Sequence, residues 1–333
     1  MHIRSRCVRL LGPCLILMAL CLSSAASAAA AGAAPAELMP EEGFPYQAFD
    51  RLPADKITVA GAELTVALGA DGIALGKEDI LAWVRKSAEA VDAYYGRFPV
   101  TSARILLIPV DGAKVRSGST WGYHGAATRI MVGRDVTRDA LMHDDWVLVH
   151  EMIHMALPDM TSAEAWLSEG IAVYVESISR VQAGHLPEAQ IWHDFVRDMP
   201  KGEPRAGDQG LEGADSWGRI YWGGALFCLV ADVEIRKRSG DKLGLQAALR
   251  GIDAVTNHTE DGDIARVLAL GDKATGEHVL SELYESMGRA AAPVDLEALW
   301  RGLGVRVDGD GNVTFDDTAP LAGARRAIVR HGS

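Results

Sequence analysis

The pattern of hydrophobic and polar positions divides the chain into two parts. Short apolar segments rich in β-branched residues come first, at 56–61, 62–68, 103–110 and 128–134, and glycine or aspartate bounds them, which is typical of strands. From Lys77, apolar residues recur at intervals of three and four, which predicts a long amphipathic helix. The first part therefore predicts a mixed β-sheet with one helix.

Helical periodicity dominates from Met142 onward, and VRVDGDGNVTFDD near the C-terminus predicts a hairpin. We expect an α+β fold with a β-rich lobe at 46–141 and a mainly helical lobe at 142–333, which together form one domain. The predicted helices of the second lobe cover 145–157, 162–179, 217–238, 242–251, 263–270 and 276–290.

The first residues have the pattern of a secretory signal peptide. Three arginines precede an apolar run at 10–22, and small residues at 26–28 provide a cleavage site. An uncleaved anchor is the alternative, but the run is too short for it, and no later apolar segment is long enough to span a bilayer. We expect a signal peptide at 1–28, a flexible leader at 29–45 and a secreted or periplasmic protein without a permanent membrane anchor.

Charge and cysteine content narrow the possible functions. The net charge of −12 becomes more negative once the arginines of the predicted signal are removed, which argues against binding to nucleic acid or anionic lipid. Cys228 is the only cysteine outside the predicted signal, so the exported protein has no internal disulfide. Its core, or a metal, must stabilise it.

Two histidines four residues apart, His150 and His154, form the pattern H-E-x-x-H. On a helix this spacing places both imidazoles on one face, where they can bind Zn²⁺ at ~2.0–2.1 Å. Glu151 points about 100° around the helix. It therefore lies beside the metal, where a general base must be to take a proton from metal-bound water. The apolar helix that ends at Pro158 supports this short pattern.

A catalytic zinc needs a third protein ligand, and we predict Glu169. Thr161 and Glu164 predict a capping box that begins a second helix, and the short loop before it predicts an antiparallel helix pair. The segment WLSEGIAVYV is apolar nearly throughout, so a carboxylate without a partner there would be costly. A surface glutamate is the alternative. The predicted metal ligands are thus His150, His154 and Glu169.

Glu176 lies seven residues after Glu169 on the same helix face. It is a candidate to orient a ligand histidine by a hydrogen bond, and the alternative is a solvated charge at a helix end. Two histidines and one glutamate favour zinc over iron or manganese.

The segments HEMIH and AWLSEGIA resemble the gluzincin metallopeptidases, in which W-L-x-E-G supplies the third ligand. The segment GRIYWGGALFCLV is similar to a Tyr-x-x-Gly-Ala helix of the aminopeptidase N-like and glycyl aminopeptidase-like (peptidase MA-like) families. The resemblance covers about 149–251. It implies a zinc peptidase that acts on peptide or protein substrates, with Glu151 as base and Tyr221 as stabiliser of the oxyanion. The alternative for Tyr221 is an aromatic residue of the core.

This sequence departs from that group at the substrate amine. Aminopeptidases of the group have a glutamate in a glycine-rich motif before the zinc helix, whereas the region GSTWGYHGAATRIMVG contains no acid. We expect Thr128–Gly133 to be an edge strand that pairs with the substrate backbone. The choice between aminopeptidase and endopeptidase stays open.

Two other functions fit the same residues. The first is a zinc-containing module that binds a peptide or an envelope partner without catalysis, against which Glu151 argues, because a structural zinc site needs no base. The second is an amidase that acts on cell-wall peptide, which no feature of the sequence separates from a peptidase.

Overall fold

The structure is a computed structural model that describes residues 36–70 and 72–330. The predicted signal peptide at 1–28 lies outside the described residues. Within the described ranges, no helix is both long enough and apolar enough to cross a membrane.

A five-stranded mixed sheet forms the first part of the fold, as predicted. Its order is β1-β2-β3-β5-β4, in which the pairs β2–β3 and β3–β5 are parallel and the two outer pairs are antiparallel. The strands are β1 (Ala54–Val59), β2 (Ala62–Leu68), β3 (Ser102–Val110), β4 (Val115–Trp121) and β5 (Ala127–Gly133).

The helices follow the α+β prediction, with most of them after the sheet. They are α1 (Tyr46–Phe49), α2 (Lys77–Tyr95), α3 (Val147–His154), α4 (Ala165–Gln182), α5 (Glu188–Asp198), α6 (Gly224–Ser239), α7 (Leu245–Asp253), α8 (Ile264–Thr275), α9 (Val279–Leu283), α10 (Leu296–Leu303) and α11 (Ala322–Val329). Wider π-helical turns precede α3 and α6 and follow α9, at Ala140–Asp144, Gly218–Gly223 and Tyr284–Gly288. The predicted hairpin near the C-terminus is present as β6 (Val305–Val307) and β7 (Val313–Phe315).

The helix α2 connects the parallel strands β2 and β3 and covers one face of the sheet. Its apolar stripe, which includes Trp83, Val84 and Val91, is fully buried in the main core. The helix ends at Gly96, whose φ of 77° suits glycine because no Cβ obstructs the left-handed conformation. The amphipathic period that predicted the helix therefore also determines which side of the helix packs against the sheet.

The opposite face of the sheet is covered by residues just before β1. Leu38, Phe44 and Phe49 are buried in a second apolar cluster with Leu106 and Ile108 of β3. The flexible leader expected at 29–45 is thus packed in its described part. These residues pack there because the side chains of β3 are apolar on both faces of the sheet, so each face must be shielded from water by other apolar residues.

The strand β4 corrects one expectation. Thr128–Gly133 lies in β5, which is paired on both sides, so it is not the edge strand. The edge is β4, whose sequence VRSGSTW is polar and partly exposed and was not predicted as a strand. The helices α5, α10 and α11 were also not predicted.

Candidate metal centre

The helix α3 carries both histidines of the H-E-x-x-H pattern. At the start of α3, Asp145 accepts hydrogen bonds from the backbone amides of Val147 (2.9 Å) and Leu148 (3.4 Å). It also accepts a hydrogen bond of 2.8 Å from the indole of Trp83. The apolar residues of α3 are buried in the main core, which holds the helix rigidly. The chain then turns into Pro158, which cannot continue the helix.

The helix α4 brings Glu169 to the two histidines. Glu169 Oε2 lies 3.1 Å from His150 Nε2 and 3.6 Å from His154 Nε2. A capping box formed by Thr161 and Glu164 begins the helical segment, as the sequence predicted. One donor atom from each of His150, His154 and Glu169 lies within 4.8 Å of the others.

Two glycines explain how α4 and α6 approach so closely beside this cluster. A Cβ on Gly170 would collide with the backbone of Gly224, and a Cβ on Gly224 would collide with the carbonyl oxygen of Trp166. The backbones therefore touch where Glu169 leaves α4. The same contact places the turn that carries Tyr221 next to the cluster.

The chemistry of the donor set fits a zinc ion. Burial alone would raise the pKa of Glu169, but hydrogen bonds from His150 and His154 outweigh it and hold that pKa well below its usual range. The ionised carboxylate and two imidazoles are the ligands that zinc prefers at catalytic sites. His150 Nδ1 is buried and has no hydrogen-bond partner among the described residues. Its Nε2 points to the cluster.

Glu151 is buried beside the cluster and faces β4 rather than the three ligand atoms. Thr120 donates a hydrogen bond of 2.7 Å to Glu151 Oε2, and its hydroxyl also lies 3.0 Å from the carbonyl oxygen of Glu151. Gly118, two residues earlier on the same face of β4, packs against the glutamate, because a Cβ there would collide with Glu151 Cγ. The edge strand thus holds this carboxylate in place.

Tyr221 lies in the π-helical turn before α6, and its ring stacks on His150 at a centroid distance of 6.3 Å. Burial, together with the carboxylates of Glu169 and Glu151, raises the pKa of Tyr221 to about 12. The phenol keeps its proton at neutral pH and can donate a hydrogen bond. Such π-helical turns often occur at functional sites.

The structure places Glu176 away from the ligand histidines. It forms an ion pair of 2.5 Å with Arg180 and accepts a hydrogen bond from Ser177. Seven residues are two turns of helix, so Glu176 lies about 10 Å along the axis from Glu169. Glu176 therefore forms a buried ion pair and does not make the hydrogen bond to a ligand histidine that the sequence suggested.

One cavity of about 340 Å³ is lined by the three predicted metal ligands, by the predicted base Glu151 and by Tyr221. Gly118, Thr120 and His258 line it as well and were not predicted. His258 is buried, with Nδ1 at 3.2 Å from the carbonyl oxygen of Leu157, three residues after the end of α3. No local motif marks these three residues, because only the tertiary fold brings β4 and the 255–262 segment to α3.

Solved structures similar to this chain include an aminopeptidase N family protein and M1 zinc metallopeptidases. An aminopeptidase N family protein from Idiomarina loihiensis aligns at 17% identity with a TM-score of 0.55, over 78% of this chain and 50% of that chain. An M1 zinc metallopeptidase from Deinococcus radiodurans aligns at 19% identity with a TM-score of 0.45, over 73% and 54%. A two-domain M1 zinc metallopeptidase variant bound to L-arginine aligns at 15% identity with a TM-score of 0.49, over 73% and 53%.

The sequence matches no family model and no curated protein. The chain spans about half the length of the solved structures it matches. The arrangement of the sheet and helices nevertheless confirms the expected α+β fold, and the chain shares its fold with an aminopeptidase N family protein.

Proposed function

We propose that this protein is an exported zinc metallopeptidase that hydrolyses peptide bonds. The observation that carries the proposal is the placement of the Glu151 carboxylate on the helix that bears His150 and His154. It lies next to the metal cluster but takes no part in it. A structural metal site has no use for such a base, whereas hydrolysis requires one.

The metal is assigned to His150, His154 and Glu169. A zinc ion bound by these residues would supply a Lewis acid that polarises a carbonyl group and lowers the pKa of water. A zinc ion held by these three side chains would have a fourth position for water or substrate, which is the pattern of catalytic rather than structural zinc sites, and all three side chains line the cavity.

Glu151 acts as the base of the reaction. Its carboxylate takes a proton from the attacking water and returns it to the leaving amine. Thr120 positions the carboxylate, because its hydroxyl donates a hydrogen bond to Glu151 Oε2 and lies 3.0 Å from the carbonyl oxygen of the same residue. The Tyr221 phenol donates a hydrogen bond to the substrate oxygen as negative charge develops there.

A peptide is the substrate that the cleft accommodates. The free edge of β4 runs along the cavity, and an extended peptide can pair with a strand edge through main-chain hydrogen bonds. The arginines and apolar run before residue 28 support export. Fractionation of cells that express the full chain, or the chain without residues 1–28, tests export independently of activity.

Cleavage of a complex peptide mixture, read by mass spectrometry, tests the activity. Wild-type protein is compared with Glu151→Gln, and the zinc content of each is measured. We expect both to hold one zinc and only the wild type to cut peptides. If both hold zinc and neither cuts, the peptidase proposal is wrong, and binding without catalysis or cleavage of a cell-wall amide replaces it.

A further inference from the structure

A second cavity, of about 130 Å³, lies at the N-terminal end of α3, and the proposed chemistry does not use it. Most of its walls are apolar. A dry cavity of roughly 150 Å³ is large enough to hold a benzene ring, so this one has room for an aliphatic side chain. Its apolar lining residues are Val115, Ala140, Trp146 and Val147, and its charged lining residues are Lys114, Asp144 and Asp145.

Trp146 connects this second cavity to the metal centre. Its indole lines the cavity and contacts the ring of His150 edge-on, at a centroid distance of 5.7 Å. The side chain is 49% exposed, which is unusual for a residue with so large an apolar surface. An exposed tryptophan between two adjacent cavities is suited to contact a ligand that extends from one to the other.

The edge strand β4 passes both cavities. Gly118 and Thr120 line the first, and Val115 lines the second. Strand residues advance by about 3.3 Å each. A peptide paired with the free edge of β4 would therefore reach the second cavity about three to five residues from the bond beside Glu151.

Strand addition of this kind obtains affinity from main-chain hydrogen bonds and specificity from pockets that receive side chains. Here the edge of β4 would supply the main-chain hydrogen bonds, and the second cavity would supply the pocket for a side chain. Of the charged residues that line it, Asp145 already accepts hydrogen bonds from Trp83, Val147 and Leu148, and Lys114 and Asp144 are exposed and opposite in charge. The pocket is therefore better suited to an aliphatic group than to a cation.

We propose that the second cavity is a subsite for a large aliphatic side chain of the substrate, three to five residues from the cleaved bond. This inference rests on the proposed peptidase function. It implies that the protein recognises extended peptides and that residues distant from the cleaved bond contribute to their selection.

The test uses quenched fluorescent peptides built around a bond that the wild-type protein cuts. At positions three to five on each side of that bond, leucine is compared with glycine. We expect kcat/KM to be about 10-fold higher with leucine at one of these positions, on one side only. Equal values at all positions would overturn the proposal.

Two variants assign the preference to this cavity. Ala140→Leu fills the cavity, so the ratio of leucine to glycine substrates should fall toward one. Ala298→Leu makes the same change on an exposed face of α10 and should keep the wild-type ratio. If Ala140→Leu does not fold, Trp146→Ala removes one wall and should lower the ratio. An unchanged ratio in the folded cavity variant would contradict the assignment.

A binding measurement separates this inference from the peptidase function. If the wild type cuts no peptide, a set of peptides of nine residues, with leucine or glycine at each position in turn, is titrated against Glu151→Gln by tryptophan fluorescence. Tighter binding of a leucine peptide, lost in Glu151→Gln combined with Ala140→Leu, would support the subsite although the activity had failed. Equal binding of all peptides would overturn it.

Discussion

The two sides of the cleft differ in whether neighbouring residues in the sequence or only the tertiary fold bring their functional residues together. One is the helix wall, formed by α3 and α4, which carries the four residues His150, His154, Glu169 and Glu151. The other is the strand wall, formed by β4, which carries Gly118 and Thr120. In the helix wall, helical spacing and one short loop between the two helices bring the metal ligands and the base together. The strand wall reaches Glu151 from about thirty residues away in sequence.

The comparison indicates that the two walls contribute different things to the proposed reaction. The helix wall supplies the metal ligands and the base. The residues of the strand wall that line the cavity carry no ionisable group, and they determine where the base lies. Variants of the helix wall should therefore remove metal or activity, whereas those of the strand wall should leave the metal in place and reduce turnover.

The largest effect is expected for Glu169→Gln. It removes the charged ligand from the metal cluster, so zinc content after dialysis should fall far below one ion per chain. Hydrolysis should fall by on the order of 10³-fold or more. Metal analysis and peptide cleavage measure the two losses.

Glu176→Gln provides the matched control on the same helix. It breaks the buried ion pair with Arg180 and should lower the melting temperature, while zinc content stays at one ion per chain. Loss of zinc from the folded Glu176→Gln protein would contradict the ion-pair role and restore the role predicted from the sequence.

The next largest effect is expected for Gly118→Ala in the strand wall. The new Cβ would collide with Glu151 Cγ and lie 2.7 Å from the Ile130 side chain, so the carboxylate must move. A displacement of about 1 Å can cost about 100-fold in rate. We expect kcat to fall by about that factor with zinc retained. Gly309→Ala, which has open space at its Cβ, should have no effect.

Thr120 gives a smaller and more specific effect. Thr120→Val keeps the shape of the side chain but removes the hydrogen bond to the charged Glu151, which is worth about 1.5–3 kcal/mol. We expect kcat to fall about 10-fold or more with little change in KM. Thr120→Ser retains the hydroxyl and should restore most of kcat. Equal loss in both variants would indicate that the methyl group, rather than the hydrogen bond, matters.

The last effect concerns stability rather than activity, and lies at the start of the helix wall. Burial raises the pKa of Asp145 from 3.8 to about 6, despite hydrogen bonds from Trp83, Val147 and Leu148. Below pH 4 the group is protonated in both the folded and the unfolded chain. Between pH 4 and 6 the unfolded chain loses this proton first, so the contribution of Asp145 to the free energy of unfolding declines by up to about 3 kcal/mol.

Thermal unfolding across this pH range measures that decline. Asp145→Asn keeps an acceptor for the amides but does not titrate, so its melting temperature should fall less than that of the wild type between pH 4 and 6. Equal slopes for the two proteins would show that Asp145 titrates at its ordinary pKa.

The sequence predicted the helix wall because its information is local. The spacing of His150 and His154 and the apolar run around Glu169 each follow from the period of one helix, and the capping box at Thr161 marks where the second helical segment begins. The α+β division was predictable for the same reason, since strand and helix periods differ clearly on either side of residue 142.

The strand wall could not be predicted because it lacks that local information. An exposed edge strand buries little, so VRSGSTW shows no apolar alternation and resembles a loop. For the same reason the apolar β5, at Thr128–Gly133, was expected at the edge although it is paired on both sides. For Glu176, the local pattern predicted the helix face correctly but did not identify the residue it pairs with, which is Arg180.

The central claim, that His150, His154 and Glu169 hold one catalytic zinc, is tested most directly by anomalous diffraction. Crystals of the zinc-loaded protein would be measured above and below the zinc edge. We expect one strong anomalous peak, ~2.0–2.2 Å from a nitrogen of each histidine and from a Glu169 oxygen, with Glu151 outside the ligand sphere. The absence of a peak at this cluster, or a peak bound by Glu151, would contradict it.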